Sequence, residues 1–377
     1  MNPFGLEIQT RVSLVEGAKL GHWGGDWPHT TTAHNYMVNL AEFDFIRVPS
    51  DGSLPPALDR TLDVVILDMN HSVANLGHDS LVHAVHESSR ALKQETGIGV
   101  RVLSFDVRGS RSFPNFDMGR FRLFIGTGGP GHLDPRANDG SAPWSENVVD
   151  DPFWEKPYSE LLESIVRDES VAYIAFCHSF GMLARWAGIA RPVLRSEGQG
   201  GKSHGIVTYI LTGDALRHPW FSRFHDELFD RPRFRVLDSR QFDLVPNRRN
   251  GYVPLAYEAD RDGGYANALT MIELERDRNG IMPRVFAANH HPEVVDIRHM
   301  VDVLDEKLEK GEVTADWRQK RYESLVAFWN EPDVDERMRR TSRYTLLDLL
   351  AYHLRRIGEG VRSTDLGSRG EKPGRQT

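Results

Sequence analysis

A single cysteine, Cys177, stands in a chain of 377 residues. This scarcity excludes an intrachain disulfide and any metal site built from several cysteines. No apolar run approaches the roughly 18 residues of a membrane-spanning helix, and the mean hydropathy is −0.46. Basic residues are not in excess either, because the formal net charge is −8. Nucleic acid would require a basic face, so we expect no nucleic-acid partner and no membrane association.

The N-terminal region shows neither a targeting signal nor a regular period. No basic stretch followed by an apolar segment is present, so we expect a cytoplasmic protein. Residues 1–61 are rich in aromatic residues, glycine and histidine, and we interpret them as an N-terminal arm. Its histidines His22, His29 and His34 fit no familiar metal-ligand spacing, so we expect packing or surface roles for them. Nothing in the sequence asks for a metal, a nucleotide or a flavin.

Strands alternate with helices from Thr61 onward. The compact apolar run LDVVILDM at 62–69 is typical of a buried strand, and residues 79–94 have helical spacing. The same patterns predict strands at 100–107, from 121 and at 171–176, and helices at 159–166 and 181–189. This alternation predicts βαβ units, a mostly parallel sheet and a three-layer α/β sandwich.

The second half of the chain predicts an extension of that sheet followed by helices. Strand-like segments occur in close succession at 205–212, 234–239, 253–259, 268–274 and 283–289, which indicates partly antiparallel pairing. Helices are predicted at 294–310, 316–330 and 345–357, the last with an apolar face of Leu346, Leu347, Leu350, Leu354 and Ile357. We divide the chain into the arm 1–61, an α/β domain 62–310, a C-terminal helical extension 311–360 and a flexible tail 361–377.

Cys177 lies at the end of a predicted parallel strand and directly before a helix, in the sequence AFCHSFGM. Ligand chemistry in open α/β sheets gathers at the carboxyl ends of strands. A strand–turn–helix elbow at that edge lifts the side chain out of the sheet, and the helix N-terminus stabilises a thiolate. A lone cysteine is more often buried and inert, so Cys177 by itself leaves both interpretations open.

Two further strand ends carry residues suited to nucleophilic catalysis. The turn IGTGGPGHLDP at 125–135 contains glycines that let a backbone N–H approach a reacting centre, and it lacks the spacing of a phosphate-binding loop. The segment NHHPEVVD at 289–296 supplies a histidine with a glutamate two residues on. A base oriented by a carboxylate completes a nucleophilic triad. The three motifs together favour thiol catalysis far more specifically than any one of them.

Over roughly residues 62–310 the chain resembles the class I glutamine amidotransferase domain. The resemblance is carried by three motifs in this order, GTGGPGHLDP, AFCHSFGM and HHPE. The resemblance implies the flavodoxin-like fold of that family, a γ-glutamyl thioester intermediate and release of ammonia, usually to a synthase partner. By this resemblance Cys177 is the nucleophile, His291 is the base and Glu293 orients the base.

The resemblance also implies an oxyanion hole and a substrate pocket around the elbow. The backbone N–H groups of Gly129 and His178 would form the oxyanion hole. Substrate contacts are expected from Gly128, Gly131, Ser179, Gly181, Arg240 and Gln241.

The elbow departs from the family pattern G-x-C-x-G-x-Q. Ala175 and Ser179 stand where the pattern has glycines, and Gly181 replaces the glutamine that would help to hold the substrate. Ala175 and Ser179 are small enough to keep the geometry of the elbow. Gly181 has no side-chain amide to hold the substrate, so glutamine is in doubt as the substrate. Residues 311–377 are too few for a synthetase domain.

A second resemblance is to homoserine O-acyltransferases of the succinyltransferase type, which share this fold and a Cys-His-Glu triad. GKSHGIV at 201–207, DSRQFD at 238–243 and DWRQKRYESLVAFWN at 316–330 look like segments of those enzymes. Arg240 would then bind a substrate carboxylate through its guanidinium, although a surface arginine is the more ordinary interpretation.

Three functions therefore stay open. The first is an amidotransferase-type enzyme that acts on a small-molecule amide through Cys177. The second is a transferase or hydrolase on the same scaffold that acts on another acyl group. The third is a non-catalytic descendant that binds a small molecule or a partner. The candidate partners are a synthase or acceptor protein and a second copy of the chain.

Overall fold

The computed structural model describes most of the chain beyond the N-terminal arm. The described residues are 44–72, 75–115, 119–145, 147–195, 201–248, 251–295, 297–309, 314–326 and 333–370. Residues 1–43, with His22, His29 and His34, lie outside this part, so the roles expected for those histidines stay predictions.

Strands and helices follow one another largely as the apolar pattern predicts. The strands are β1 (Phe45–Arg47), β2 (Thr61–Asp68), β3 (Gly99–Asp106), β4 (Phe121–Gly126), β5 (Ala172–Phe176), β6 (Ala190–Leu194), β7 (Ser203–Leu211), β8 (Arg233–Arg240), β9 (Phe242–Pro246), β10 (Val253–Ala259), β11 (Tyr265–Arg276) and β12 (Pro283–Ala288). The helices are α1 (Leu76–Thr96), α2 (Glu155–Arg167), α3 (His178–Trp186), α4 (Gly213–Arg217), α5 (Phe221–Glu227), α6 (Ile297–Glu309), α7 (Ala315–Val326), α8 (Val334–Ser342) and α9 (Asp348–Gly370).

Ten strands form one mixed sheet in the order β1-β3-β2-β4-β5-β12-β11-β10-β7-β8. The six strands from β1 to β12 in this order pair in parallel, and the remaining four extend the sheet with antiparallel pairs. The predicted α/β class, with a mostly parallel sheet and an antiparallel extension, is therefore confirmed. Strands β6 and β9 form a separate antiparallel pair that the sequence patterns did not predict.

Two apolar cores cover the two faces of the sheet. Strand β2 is buried over almost its whole length, and its centre is apolar because parallel strands are covered on both sides. Its residues Val64 and Ile66 pack in one core with α1 and α9, whereas Val65 and Leu67 pack in the other core with α2 and α3. Helices on both faces of a central sheet make the three-layer sandwich that the sequence predicts.

Two elements of the structure cross the predicted domain boundaries. Strand β1 pairs with β3 in the main sheet, so part of the predicted arm belongs to the α/β domain. A strand of three residues is too short to show a period, which is why the sequence pattern missed it. Helix α9 continues through Gly370, so ten residues of the predicted flexible tail are helical. No proline interrupts this helix before Pro373, and composition alone did not reveal that the helix could continue.

Residues between Tyr344 and Ile357 belong to the main core. The predicted apolar face of the last helix packs there, with Leu346, Leu350, Leu354 and Ile357 all buried beside residues of α1 and β2. Among the described residues, no helix is both long and apolar enough to cross a membrane.

Candidate functional site

Cys177 occupies the turn between β5 and α3, as the elbow motif predicts. Its backbone has φ 47° and ψ −106°, a conformation that residues other than glycine rarely adopt. The Cys177 N–H donates to the Ala288 carbonyl at 2.9 Å, and the Gly181 N–H donates to the Cys177 carbonyl at 3.0 Å. These bonds on both sides hold the strained turn, and strain of this kind is characteristic of functional sites.

His291 and Glu293 follow β12, the strand that lies beside β5 in the sheet. The His291 Nδ1 atom lies 2.9 Å from Glu293 Oε1. The Glu293 carboxylate is almost fully buried, with 1% of its side chain exposed, whereas 16% of the His291 side chain is exposed. Burial by itself would lower the pKa of His291, but Glu293 and Cys177 together raise this pKa well above its ordinary value. The imidazolium form is therefore favoured beside the thiol and the carboxylate.

The neighbouring His290 is packed in the protein core instead. Its Nε2 atom lies 3.0 Å from Thr345 Oγ1, and its ring packs edge-on against Tyr209 and Phe234. Burial lowers the pKa of His290 to about 3, so this ring is neutral at physiological pH. The sequence offered two histidines, and only His291 contacts the Glu293 carboxylate through a ring nitrogen.

The start of helix α1 lies against the Glu293 carboxylate. A Cβ atom built on Gly77 would be 3.0 Å from Glu293 Oε1 and 3.0 Å from the side chain of Asn75. Asn75 caps the helix by accepting from the Gly77 N–H at 2.8 Å. The positive end of a helix stabilises a carboxylate placed next to it. The start of α1 therefore lies close to the carboxylate of Glu293, a contact that the sequence patterns did not identify.

The glycine turn after β4 closes the site from the other side. A Cβ atom built on Gly128 would lie 3.0 Å from His291 Cε1 and 3.7 Å from Cys177 Sγ, so the backbone runs directly beside both groups. A Cβ atom on Gly129 would lie only 2.3 Å from the Met69 carbonyl oxygen. The ring of His178 is buried next to this turn, and burial lowers the pKa of His178 well below its ordinary value.

A buried polar network holds this glycine turn, and sequence reasoning missed it. Arg108 Nη1 donates to the Met69 carbonyl at 3.1 Å and to the Pro130 carbonyl at 2.7 Å. Its Nε donates to Asp150 Oδ1 at 3.2 Å, and Asn138 Nδ2 donates to Asp150 Oδ2 at 2.7 Å. The one available signal was the position of Arg108 directly after β3, at the same sheet edge as the catalytic candidates.

Asn138 connects this network to the last part of the turn. Its Oδ1 atom accepts from the His132 N–H at 2.7 Å, and its Nδ2 donates to the His132 carbonyl at 2.9 Å. Gly131 has φ 83°, and a Cβ atom there would lie 2.7 Å from Asn138 Oδ1. Gly131 thus shapes the turn through its backbone.

The small residues of the elbow pack inward. Ser179 is fully buried, and both its N–H, at 3.2 Å, and its hydroxyl, at 2.7 Å, donate to the Thr127 carbonyl. A Cβ atom on Gly181 would lie 2.5 Å from two methyl groups of Leu133. The Leu133 side chain therefore occupies the space next to Gly181.

Arg240 is engaged within the protein, contrary to its expected role in binding a substrate carboxylate. It is 3% exposed, and its guanidinium contacts Asp238 and Glu258 as well as Asp243, whose Oδ1 lies 3.0 Å from Nε. Burial opposes its charge, but these carboxylates outweigh burial and raise the pKa of Arg240 well above its ordinary value. The adjacent Gln241 accepts from the Arg195 N–H through its backbone carbonyl at 3.0 Å.

The end of β8 nevertheless reaches the site through its backbone. The Ser239 carbonyl lies 3.8 Å from Cys177 Sγ, and the Leu237 carbonyl accepts from the His291 N–H at 2.9 Å. Within the described residues, no group of three or more histidine, cysteine or acidic side chains is arranged to hold a metal ion.

No protein-family model matches the chain, and no curated protein matches it. Several solved structures match the chain at low identity. One is SMU.1228c, with a TM-score of 0.45 and 14% identity over 76% of this chain and 98% of that one. A putative GMP synthase component from Thermoplasma acidophilum has a TM-score of 0.36 and 12% identity over 61% and 85% of the two chains. A putative ThuA-like protein from Bacteroides uniformis has a TM-score of 0.36 and 11% identity over 65% and 89%.

Proposed function

We propose that the protein is a thiol-dependent enzyme of the glutamine amidotransferase-like type, which forms an acyl-enzyme on Cys177 from a small amide or acyl substrate. One observation carries the proposal. The strained Cys177, the His291–Glu293 pair and the glycine turn meet at the carboxyl edge of β4, β5 and β12. Covalent acyl transfer requires a nucleophile, a base that a third group orients, and backbone N–H groups close to the reacting carbonyl.

The arrangement supports a chemical sequence in which charge and protons balance. The Cys177 thiolate attacks the acyl carbon, and the electron pair of the carbonyl moves to its oxygen. The backbone N–H groups of Gly129 and His178 are the candidate donors to that oxyanion, since the first N–H groups of a helix have no partner within the helix. The His291 imidazolium then gives its proton to the leaving amine, which departs as ammonia when the substrate is a primary amide. Water, activated by the neutral imidazole, releases the acid and restores the thiol.

The substrate is the part of the proposal on which the two enzyme alternatives differ. The side chain of Leu133 lies where a residue larger than Gly181 would need space, so the elbow presents an apolar group in place of an amide. This observation favours an acyl group other than γ-glutamyl, or a glutamine site completed by a partner protein. The internal pairing of Arg240 removes the specific feature that favoured a homoserine acyltransferase.

Incubation with a glutamine-directed diazo-ketone, followed by intact-mass analysis, tests the proposal. We expect iodoacetamide to give a single adduct on Cys177 in the native protein and none in Cys177→Ser, which preserves the size of the side chain. A diazo-ketone adduct on Cys177 would favour glutamine as the substrate. Labelling by iodoacetamide but not by the diazo-ketone would favour another acyl group. A Cys177 that reacts with neither reagent while the protein remains folded would overturn the proposal of thiol catalysis.

Free glutamine is expected to be a poor substrate of the isolated protein. A site that lacks a hydrogen-bonding group for a polar substrate discriminates against that substrate by several kcal/mol. Steady-state ammonia release should therefore give a kcat/KM below about 10⁴ M⁻¹s⁻¹, at the low end of ordinary enzymes. A value above that level without any partner protein would contradict this expectation and restore glutamine as the substrate.

A further inference from the structure

A cleft of about 240 Å³ lies beside β8, away from the end of the strand that reaches Cys177. Four arginines line it, and we call it the arginine cleft: Arg233, Arg235, Arg261 and Arg337. They come from three places, since two lie on β8, one lies in the turn between β10 and β11, and one lies on α8. Elements distant in sequence thus bring guanidinium groups together on a protein whose formal net charge is −8.

Two acidic residues, Asp230 and Asp260, also line the cleft. Asp230 Oδ2 accepts from Arg337 Nη1 at 2.9 Å, so these two charges form a pair. Asp260 Oδ1 accepts from the N–H groups of Asp262 and Gly264, at 3.0 and 2.6 Å, and so stabilises its own turn. The cleft is thus lined by four arginines and two aspartates, and a surface with more arginines than acidic residues attracts an anion.

The guanidinium groups of the cleft offer a fork of donors to such an anion. A guanidinium has five N–H donors in a planar arrangement. Arg233 Nη2 donates to the Gly263 carbonyl at 2.7 Å, and Arg235 Nη1 donates to the Thr208 hydroxyl. The Nε atom of Arg337 is buried and has no hydrogen-bond partner among the described residues. Such a fork binds the oxygens of a phosphate group in a bidentate manner. The charge of Arg240, by contrast, is satisfied internally by carboxylates.

We propose that the arginine cleft binds the phosphate group of a small anionic ligand. The cleft is smaller than the roughly 300–1,000 Å³ of sites that enclose a drug-sized molecule. It therefore accommodates the phosphate end of a ligand, and the rest of the ligand extends into solvent. Arg235 lies four residues before Ser239 on β8, which at about 3.3 Å per residue is on the order of 13 Å along the strand. The cleft is thus separate from the Cys177 site, and this proposal does not rest on the proposed function.

Titration calorimetry with inorganic phosphate near neutral pH tests the proposal, with potassium chloride at equal ionic strength as the reference. We expect saturable binding to one site in the native protein. Arg261→Ala and Arg233→Gln should each weaken it at least about tenfold, because each removes a charge-assisted donor pair. Arg261 is exposed and lies in a turn that Asp260 stabilises, so its removal should leave the fold intact. Arg167→Ala is the matched control, since this arginine is 75% exposed on α2 and should leave phosphate affinity unchanged.

Two outcomes would overturn the proposal. One is the lack of saturable binding up to about 10 mM phosphate, tenfold above a weak millimolar site. The other is equal affinity in the native protein and in both cleft variants, which would mean that phosphate binds elsewhere. Cys177→Ser should bind phosphate like the native protein. A failure of the thiol chemistry and a failure of the cleft proposal would therefore be observed independently.

Discussion

Replacement of His291 by alanine should reduce turnover by about 10⁴-fold or more, to the level at which a nucleophile without its base operates. His291 lies between the thiol and the buried Glu293, and it is the described residue that can move a proton between Cys177 and the leaving group. The loss should appear in kcat on any accepted amide or ester. The temperature of unfolding should also fall, because the buried Glu293 carboxylate loses its partner. Alkylation of Cys177 by iodoacetamide near neutral pH should also become slower.

Two further variants make this result specific. His290→Gln should lower stability by about 1–3 kcal/mol, since it disturbs a buried hydrogen-bonded group, but it should retain turnover. An inactive His290→Gln together with an active His291→Ala would mean that the roles of the two histidines are reversed. Glu293→Gln should cost less than the loss of His291, because the carboxylate acts only through the imidazole.

The Glu293→Gln variant should also change the pH profile in a defined direction. Glu293 raises the pKa of His291, and the imidazolium is lost as the pH rises through that pKa. Removing the carboxylate lowers this pKa, so the alkaline limb of kcat/KM should move to lower pH. A purely structural role for Glu293 would reduce the amount of folded protein but would leave the position of the limb unchanged.

Replacement of Gly129 by alanine should reduce kcat by about 10²–10³-fold, the loss expected when one oxyanion donor is displaced. The new Cβ atom would lie 2.3 Å from the Met69 carbonyl oxygen, which Arg108 holds in place. Because that neighbour is backbone, the glycine turn must move instead, and the Gly129 N–H moves with it. The variant should also lose about 1–3 kcal/mol of stability, as an overpacked buried site does.

Gly213→Ala is the matched control for this substitution. Gly213 begins α4, and the nearest atom to its new Cβ would be Arg217 Nη1 at 3.5 Å, an ordinary contact. Turnover and stability should therefore be close to those of the native protein. Native-like turnover in Gly129→Ala would show that this N–H takes no part in the reaction.

The apolar pattern was sufficient to predict the architecture, because the burial of each strand or helix is visible in the spacing of its own apolar residues. Strands such as β2 and β5 are apolar on both faces, and only a parallel sheet covered by helices on both sides buries them. The positions of Cys177, the glycine turn and the His291 segment after strands also predicted one sheet edge. The short strands β1, β6 and β9 were not predicted from the sequence, because their three to five residues show no distinctive period.

Side-chain partners at the site were decided by the tertiary structure. The pairing of His291, rather than His290, with Glu293 depends on which way each ring turns after β12. Arg240 meets carboxylates from β9 and β10, and Leu133 fills the space beside Gly181, although neither contact has a signature in the sequence. Periodicity reports whether a residue is buried, since burial repeats along a helix or strand. The identity of its neighbours depends on the packing of segments far apart in the chain, which no local pattern encodes.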